Sequence, residues 1–182
     1  MASMPSTFPA RTTVDVSFFA QRFPPLVQTL SAPATAVMVA AFRATTRPAG
    51  SLLFEEGRPV EELMLLVEGD VSVASHGHVL TEAVPGVILG EAGWIDGGPA
   101  TVTVTARTPV ALFSLDRAAF QRLRVAEPAA AVQILRAVNR SLATRIRLAT
   151  DGYESRAPGG SSEARRRGLL GALLDLFRPQ GV

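Results

Sequence analysis

The sequence predicts a mainly β protein, a double-stranded β-helix or jelly-roll-like sandwich of about eight strands with helices at both ends. Short apolar or alternating segments recur between Arg43 and Leu115, separated by Gly, Pro and Asp turn residues, which is typical of a sandwich or barrel. Helical periodicity occurs on both sides of this region. At 182 residues, we expect one well-packed core with appendages rather than two full domains.

Composition excludes several classes of function. The chain has no Cys, which excludes disulfides, thiolate nucleophiles and cysteine zinc sites and fits a reducing cytoplasm. All 18 basic residues are Arg, but 16 acidic residues leave a net charge of only +2, too little for a uniform nucleic-acid-binding surface. The sequence contains no apolar run of membrane-spanning length and no signal peptide. We therefore expect a soluble, cytoplasmic protein.

The chain before the sandwich divides into two parts. Residues 1–14 are rich in Pro, Ser and Thr without periodicity, and they predict a flexible N-terminus. Residues 15–43 predict two packing helices. The first starts at Asp15 and stops at Pro24-Pro25, and the second covers Pro33 to Phe42 with Ala32 or Ser31 as its cap.

The β region is predicted strand by strand from its turn residues. We expect strands at Arg43–Arg47, Ser51–Glu55, Glu62–Glu68, Val71–Ser75, Val79–Val84, Val87–Leu89, Thr101–Thr105 and Val110–Leu115. The third is almost continuously apolar, which indicates burial on both faces. The seventh alternates Thr and Val, which indicates a half-buried strand.

Two further helices follow the sandwich. Asp116 is predicted to cap a short helix over Arg117–Arg124. A long helix is predicted from Pro128, in its first turn, to about Thr150, where Asp151-Gly152 would end it. An apolar stripe at close to heptad spacing indicates that this helix pairs with its copy in a homodimer. The stripe consists of Ala131, Leu135, Val138, Leu142, Arg145 or Ile146, and Ala149.

The C-terminal end predicts a linker and a separate amphipathic segment. Residues 155–162 are a flexible linker by composition. Residues 163–182 combine three arginines with an apolar face: Arg165, Arg166, Arg167, Leu169, Leu170, Leu173, Leu174 and Phe177. Because so short a segment does not bury its own apolar face, we expect it to dock on its own domain, on a protein partner or on an anionic membrane.

The central feature is Val87 to Thr105, where a strand, one helical turn, a glycine-rich bend and another strand follow each other. The N–H groups at the start of a helix have no intrahelical partner and favour an anion. The candidate ligand-binding residues are Gly90, Glu91, Ala92, Ala100 and Thr101. Ala100 stands where a phosphate site usually has a basic residue.

Several fragments of the chain occur in a specific order. They are G-x-x-L-F-x-E-G from Gly50 to Gly57, L-x-L-L-V-E-G-D from Leu63 to Asp70, Pro85-Gly86, Gly90-Glu91, and Pro99 with Thr101. Across roughly Thr45 to Thr150 this pattern resembles the cyclic nucleotide-binding domain of the catabolite activator and cyclic-nucleotide-regulated kinase superfamily. We call the segment from Gly90 to Thr101, which corresponds to the phosphate-binding cassette of that superfamily, the cassette.

The resemblance implies roles for the cassette residues. Glu91 would bond the ribose 2′-hydroxyl of a nucleotide, and the backbone N–H groups of Glu91 and Ala92 would meet its phosphate, together with an arginine directly after the proline. Here that position is Ala100. Losing one charge-assisted pair costs on the order of 2 to 4 kcal/mol, or about 30- to 1000-fold in affinity. Arg107, beyond the end of the next strand, is not expected to replace it.

These observations favour a non-enzymatic regulatory or adaptor protein that binds cAMP or cGMP weakly or not at all and acts through homodimerisation and a protein partner. An alternative is a sensor in which a cyclic nucleotide or cyclic dinucleotide controls the long helix and the C-terminal segment. A second alternative is membrane attachment through that segment. About thirty residues follow Thr150, too few for a helix-turn-helix domain. His76 and His78 indicate an exposed turn rather than a metal site.

Overall fold

The computed structural model describes residues 14–154, with side-chain surroundings through residue 147. The predicted flexible N-terminus, the linker and the amphipathic segment 163–182 lie outside the described residues, apart from Val14. No helix within the described range is long and apolar enough to cross a membrane.

Three helices precede the strands: α1 (Val16–Arg22), α2 (Pro24–Val27) and α3 (Ala32–Ala40). Asp15 caps α1, where its carboxylate accepts a hydrogen bond from the Phe18 N–H at 2.7 Å. Ser31, one of the two predicted caps, starts α3 in the same way. The prediction missed α2, because Pro24 and Pro25 not only end α1 but also occupy the first turn of a new helix, where their missing N–H groups cost nothing.

Eight antiparallel strands confirm the predicted sandwich. They are β1 (Arg43–Arg47), β2 (Leu52–Phe54), β3 (Glu62–Glu68), β4 (Val71–Ser75), β5 (His78–Ala83), β6 (Ile88–Leu89), β7 (Thr103–Ala106) and β8 (Val110–Asp116). One sheet has the order β1-β8-β3-β6 and the other the order β2-β7-β4-β5. β7 begins two residues later than predicted, because Pro99 to Thr101 belong to the loop that closes the cassette.

The core lies between the sheets and under the N-terminal helices. The central strands β3 and β8 are buried along most of their length, as the apolar run from Leu63 to Val67 predicts. On the helical side, Phe19 is fully buried and stacks on Phe113 of β8, with ring centroids 5.4 Å apart. This aromatic contact fixes the N-terminal helices against the first sheet.

The remaining helices are α4 (Glu91–Asp96), α5 (Arg117–Ala126) and α6 (Pro128–Glu154). Asp116 caps α5 as predicted, accepting from the Ala119 N–H at 2.6 Å. Pro128 begins α6 as predicted, but the predicted end near Thr150 is wrong, since the helix continues to Glu154. A glycine inside a helix costs only about 1 kcal/mol relative to alanine, so Gly152 does not by itself end the helix.

Gly69 connects β3 to β4 with a φ of 80° and has no room for a side chain, because a methyl group there would lie 2.3 Å from the Pro109 carbonyl oxygen. Gly57 has a φ of 81°, but a methyl group added to Gly57 would have no atom within 4 Å. We predict that Gly57→Ala lowers the free energy of unfolding by about 1 kcal/mol through backbone strain. Gly69→Ala should cost about 1 to 3 kcal/mol more through the clash. Urea unfolding measures both variants, and equal losses would contradict the prediction.

Candidate functional site

The cassette is shaped by two glycines in the left-handed region. Gly90, with a φ of 78°, turns the chain from β6 into α4, and Gly97, with a φ of 77°, ends α4. The chain then returns beside the turn after β2, where the Ala100 N–H donates to the Arg58 carbonyl and the Gly57 N–H donates to the Ala100 carbonyl, both at 2.8 Å. These backbone bonds fix the loop opposite the start of α4.

All five predicted ligand-binding residues line one cavity: Gly90, Glu91, Ala92, Ala100 and Thr101. Its apolar walls include Phe54, Val60 and Val104. The structure therefore brings the predicted site together, and the binding role of its residues stays a prediction.

The Glu91 side chain is 1% exposed and forms an ion pair with Arg145 of α6. Arg145 also donates from Nη2 to the Ile88 carbonyl at 2.9 Å, directly before the cassette. A buried carboxylate needs such a partner, because an unpaired charge away from water is strongly destabilising. The pair thus joins the start of the cassette to the middle of α6.

Burial raises the pKa of the Glu91 carboxyl above the ordinary value of 4.5. The positive charge of Arg145 acts in the opposite direction, as do hydrogen bonds from the Glu91 N–H and the Ser141 side chain. Desolvation is the largest effect, so the carboxyl binds a proton more readily than an exposed glutamate does.

The cavity has a volume of about 30 Å³, room for about two water molecules. Arg145 is among its lining residues, and its side chain is only 25% exposed. The Arg145 side chain thus forms part of the wall of the cassette cavity.

The cation of the cassette comes from α6 rather than from the loop. Ala100 is buried at the position after Pro99 and carries no charge. Arg107 pairs with Glu82 of β5 and lies outside the residues that line the cavity, as expected from its distance along the chain. Sequence reasoning missed Arg145 as a cassette residue, although an arginine on an otherwise apolar stripe was a signal of its special surroundings.

The structure divides the predicted dimerisation stripe. Val138 is fully buried in the core of its own domain, and Arg145 pairs with Glu91. The assignment of these two side chains to a dimer contact stays a prediction. Leu135 and Leu142 are half-buried against the core, while Ile146 is 67% exposed. The side-chain surroundings of Ala149 lie outside the described part of the chain.

Residues of α5 pack against α4, the helix of the cassette. Trp94 of α4 is 3% exposed and packs edge-on against Phe120, with ring centroids 4.9 Å apart. Arg117 donates from Nη2 to the Gly93 carbonyl at 2.9 Å. Trp94 is thus a core residue that holds α4 in place.

The predicted partner-docking residues, Arg165 to Phe177, lie outside the described residues, and their role stays a prediction.

In the hairpin between β4 and β5, the Nδ1 atom of His76 lies 3.2 Å from the Oε1 atom of Glu56, and the His76 side chain is largely exposed. In the exposed turn, His76 thus has an acidic partner, Glu56.

Comparison with known proteins gives the class to which this architecture belongs. Residues 45–126 match the family described as the cyclic nucleotide-binding domain. The N-terminal domain of a transcriptional regulator from Streptomyces coelicolor A3(2) is 31% identical, with a TM-score of 0.57, over 71% of this chain and 93% of that one. A cyclic nucleotide-binding domain from Methylobacillus flagellatus KT has a TM-score of 0.69 over 80% of this chain and 87% of that one. At 21% identity, this second likeness shows the fold alone.

The chain is also similar to a cyclic nucleotide-gated potassium channel of Mesorhizobium japonicum, with 41% identity over 104 residues. The match covers 57% of this chain and 29% of the channel, so this chain spans less than a third of that relative. Together with the sandwich and the cassette, these findings show that the chain belongs to the cyclic nucleotide-binding domain superfamily, which confirms the resemblance.

The raised pKa of Glu91 makes stability depend on pH. Between pH 4.5 and the raised pKa, the folded protein holds a proton that the unfolded chain has released, so stability increases as the pH falls through this window and is lost as the pH rises through it. We predict that wild type gains stability relative to Glu91→Gln as the pH is lowered in this range. Urea unfolding at several pH values tests this.

The Glu82→Gln variant controls for the loss of one negative charge, since Glu82 is half-exposed. A difference between wild type and Glu91→Gln that stays constant across the window would contradict a raised pKa for Glu91.

Proposed function

We propose that this chain is a non-enzymatic regulatory domain in which a cyclic nucleotide, or a cyclic dinucleotide, competes with Arg145 for Glu91 and thereby controls α6. The observation that carries the proposal is the Glu91–Arg145 ion pair inside the cassette. The resemblance assigns the Glu91 carboxylate to the ligand's ribose hydroxyl. A ligand that takes this carboxylate removes a contact that holds α6.

The Glu91–Arg145 ion pair also supports a low affinity for a cyclic nucleotide. The ligand meets no cation after Pro99, because Ala100 stands there, and it must also displace Arg145 from Glu91. Since only molecules in which Arg145 has left Glu91 are competent to bind, the apparent dissociation constant is the intrinsic one divided by the fraction of such molecules. Weak binding of cAMP or cGMP follows from both effects.

Restoring the missing cation should raise the affinity. We predict that Ala100→Arg tightens cAMP or cGMP binding by at least about 30-fold, the effect of one charge-assisted pair. Isothermal titration calorimetry at millimolar ligand measures both proteins. His78→Arg adds the same charge at an exposed position outside the cassette and should leave the affinity unchanged.

Distance measurements test the output of the same switch. Because the chain has no Cys, His78→Cys and Arg147→Cys place two spin labels on β5 and α6 of the Ala100→Arg protein. Saturating nucleotide should change the distance distribution between them. If nucleotide binding gives heat but the distance between the two labels does not change, control of α6 is contradicted. If neither wild type nor Ala100→Arg gives heat with nucleotide, nucleotide sensing is contradicted.

A second candidate function is a homodimeric adaptor that works without a ligand. It is favoured by the outer face of α6, where Val132 and Ile146 are 46% and 67% exposed. Leu135 and Leu142 lie between them in the sequence and are half-buried. The positions 132, 135, 142 and 146 follow heptad spacing. Pairing of two copies through this face would cover them, and the C-terminal segment would then dock a protein partner or an anionic membrane.

The dimer is tested by its mass in solution. We predict that the double variant Val132→Asp, Ile146→Asp halves the mass measured by size-exclusion chromatography with light scattering, because two charges per chain oppose apolar pairing. Val125→Asp changes an 80% exposed valine on α5 and should leave the mass unchanged. A double variant with the wild-type mass would contradict pairing through α6.

A further inference from the structure

A second cavity, larger than the cassette cavity, lies between α2, the turn before β6 and the middle of α6. Its volume is about 160 Å³. Buried apolar side chains, among them Phe23, Leu26 and Val87, form part of its wall. An apolar cavity of about 150 Å³ in another protein accommodates benzene. The volume here therefore suits one aromatic ring or an aliphatic group of similar size.

The lining of this cavity is basic. It includes Arg22, Arg140 and Arg145 with Ser141 and Thr144, and no Asp or Glu among the residues that the structure describes. Arg145 is committed to Glu91 and to the Ile88 carbonyl. Within residues 14–147, neither Arg22 nor Arg140 forms an ion pair with a carboxylate. Among the described residues, two arginines thus line an apolar cavity without a carboxylate partner.

We propose that this cavity binds a small amphipathic anion, with an apolar body of about one ring in the cavity and a carboxylate or phosphate group on Arg22 and Arg140. An anion is favoured because arginine recognises both groups through paired N–H donors. The buried walls gain the usual stabilisation from removing apolar surface from water. The site needs neither Ala100 nor the Glu91 carboxylate, so it does not rest on the proposed nucleotide switch.

Phenyl phosphate is a suitable probe, because it carries one ring and one anionic group. In ¹⁵N-labelled full-length protein, titration should give saturable chemical shift changes at the backbone amides of Val87, Ile88 and Ala137. Benzyl alcohol lacks the charge and inorganic phosphate lacks the ring, and each should bind at least about tenfold more weakly.

Substitutions test the two parts of the proposed site separately: the arginine contacts to the anion and the apolar cavity. Arg140→Gln should weaken phenyl phosphate binding by about 3- to 10-fold, the effect of one partly exposed charge-assisted contact. Arg147→Gln is the matched control, because Arg147 is exposed on the same helix and does not line the cavity. Ala137→Leu should abolish binding by filling the space, and the dispersion of its amide spectrum shows whether it folds. If it does not fold, the double variant Arg22→Gln, Arg140→Gln replaces it, since both side chains are exposed.

Three results would overturn the proposal. One is the absence of shifts at the three cavity amides. Another is a set of shifts confined to Ala92 and Thr101, which would place the probe in the cassette. The third is an equal affinity of Arg140→Gln and Arg147→Gln.

Discussion

The site depends on one buried ion pair, between Glu91 at the start of the cassette and Arg145 in the middle of α6. Neither group is stable alone in its surroundings: the carboxylate is removed from water, and the guanidinium is three-quarters buried. Removing one partner of such a pair commonly costs about 3 to 5 kcal/mol. The pair therefore ties the conformation of a loop to the position of a helix, and any ligand that needs the carboxylate has to change both.

The backbone of the cassette is held by contacts within the protein, and the arginine that reaches it comes from α6. Gly90 and Gly97 give α4 its two left-handed ends, Trp94 packs it against α5, and the loop at Ala100 is held by backbone bonds to Gly57 and Arg58. These contacts are those of a folding unit and do not require a ligand. The position after Pro99 is Ala100, and the guanidinium that contacts Glu91 belongs to Arg145 of α6.

Much of the fold could be predicted because its signals are local. Asp116 caps α5 and Pro128 starts α6 through side chain or backbone properties of single residues, and the apolar run from Leu63 to Val67 predicts a buried strand. The contact between Glu91 and Arg145 joins residues far apart in the chain and has no local signal. Helical periodicity shows that Val138 and Arg145 share a face, but it does not tell whether that face meets another copy or the chain's own core. The sequence of α6 favours a dimer contact for both, and the structure shows that both also have contacts within their own chain.

The length of α6 beyond Arg145 has a mechanical consequence. Glu154, at the end of the helix, lies nine positions after Arg145, a distance of about 14 Å at 1.5 Å per residue. A helix behaves as a stiff rod over this length, so a tilt of about 10° at Arg145 would move its end by about 2 Å. A tilt of α6 that starts at the contact with Glu91 would therefore be larger at residue 154 than at the cassette.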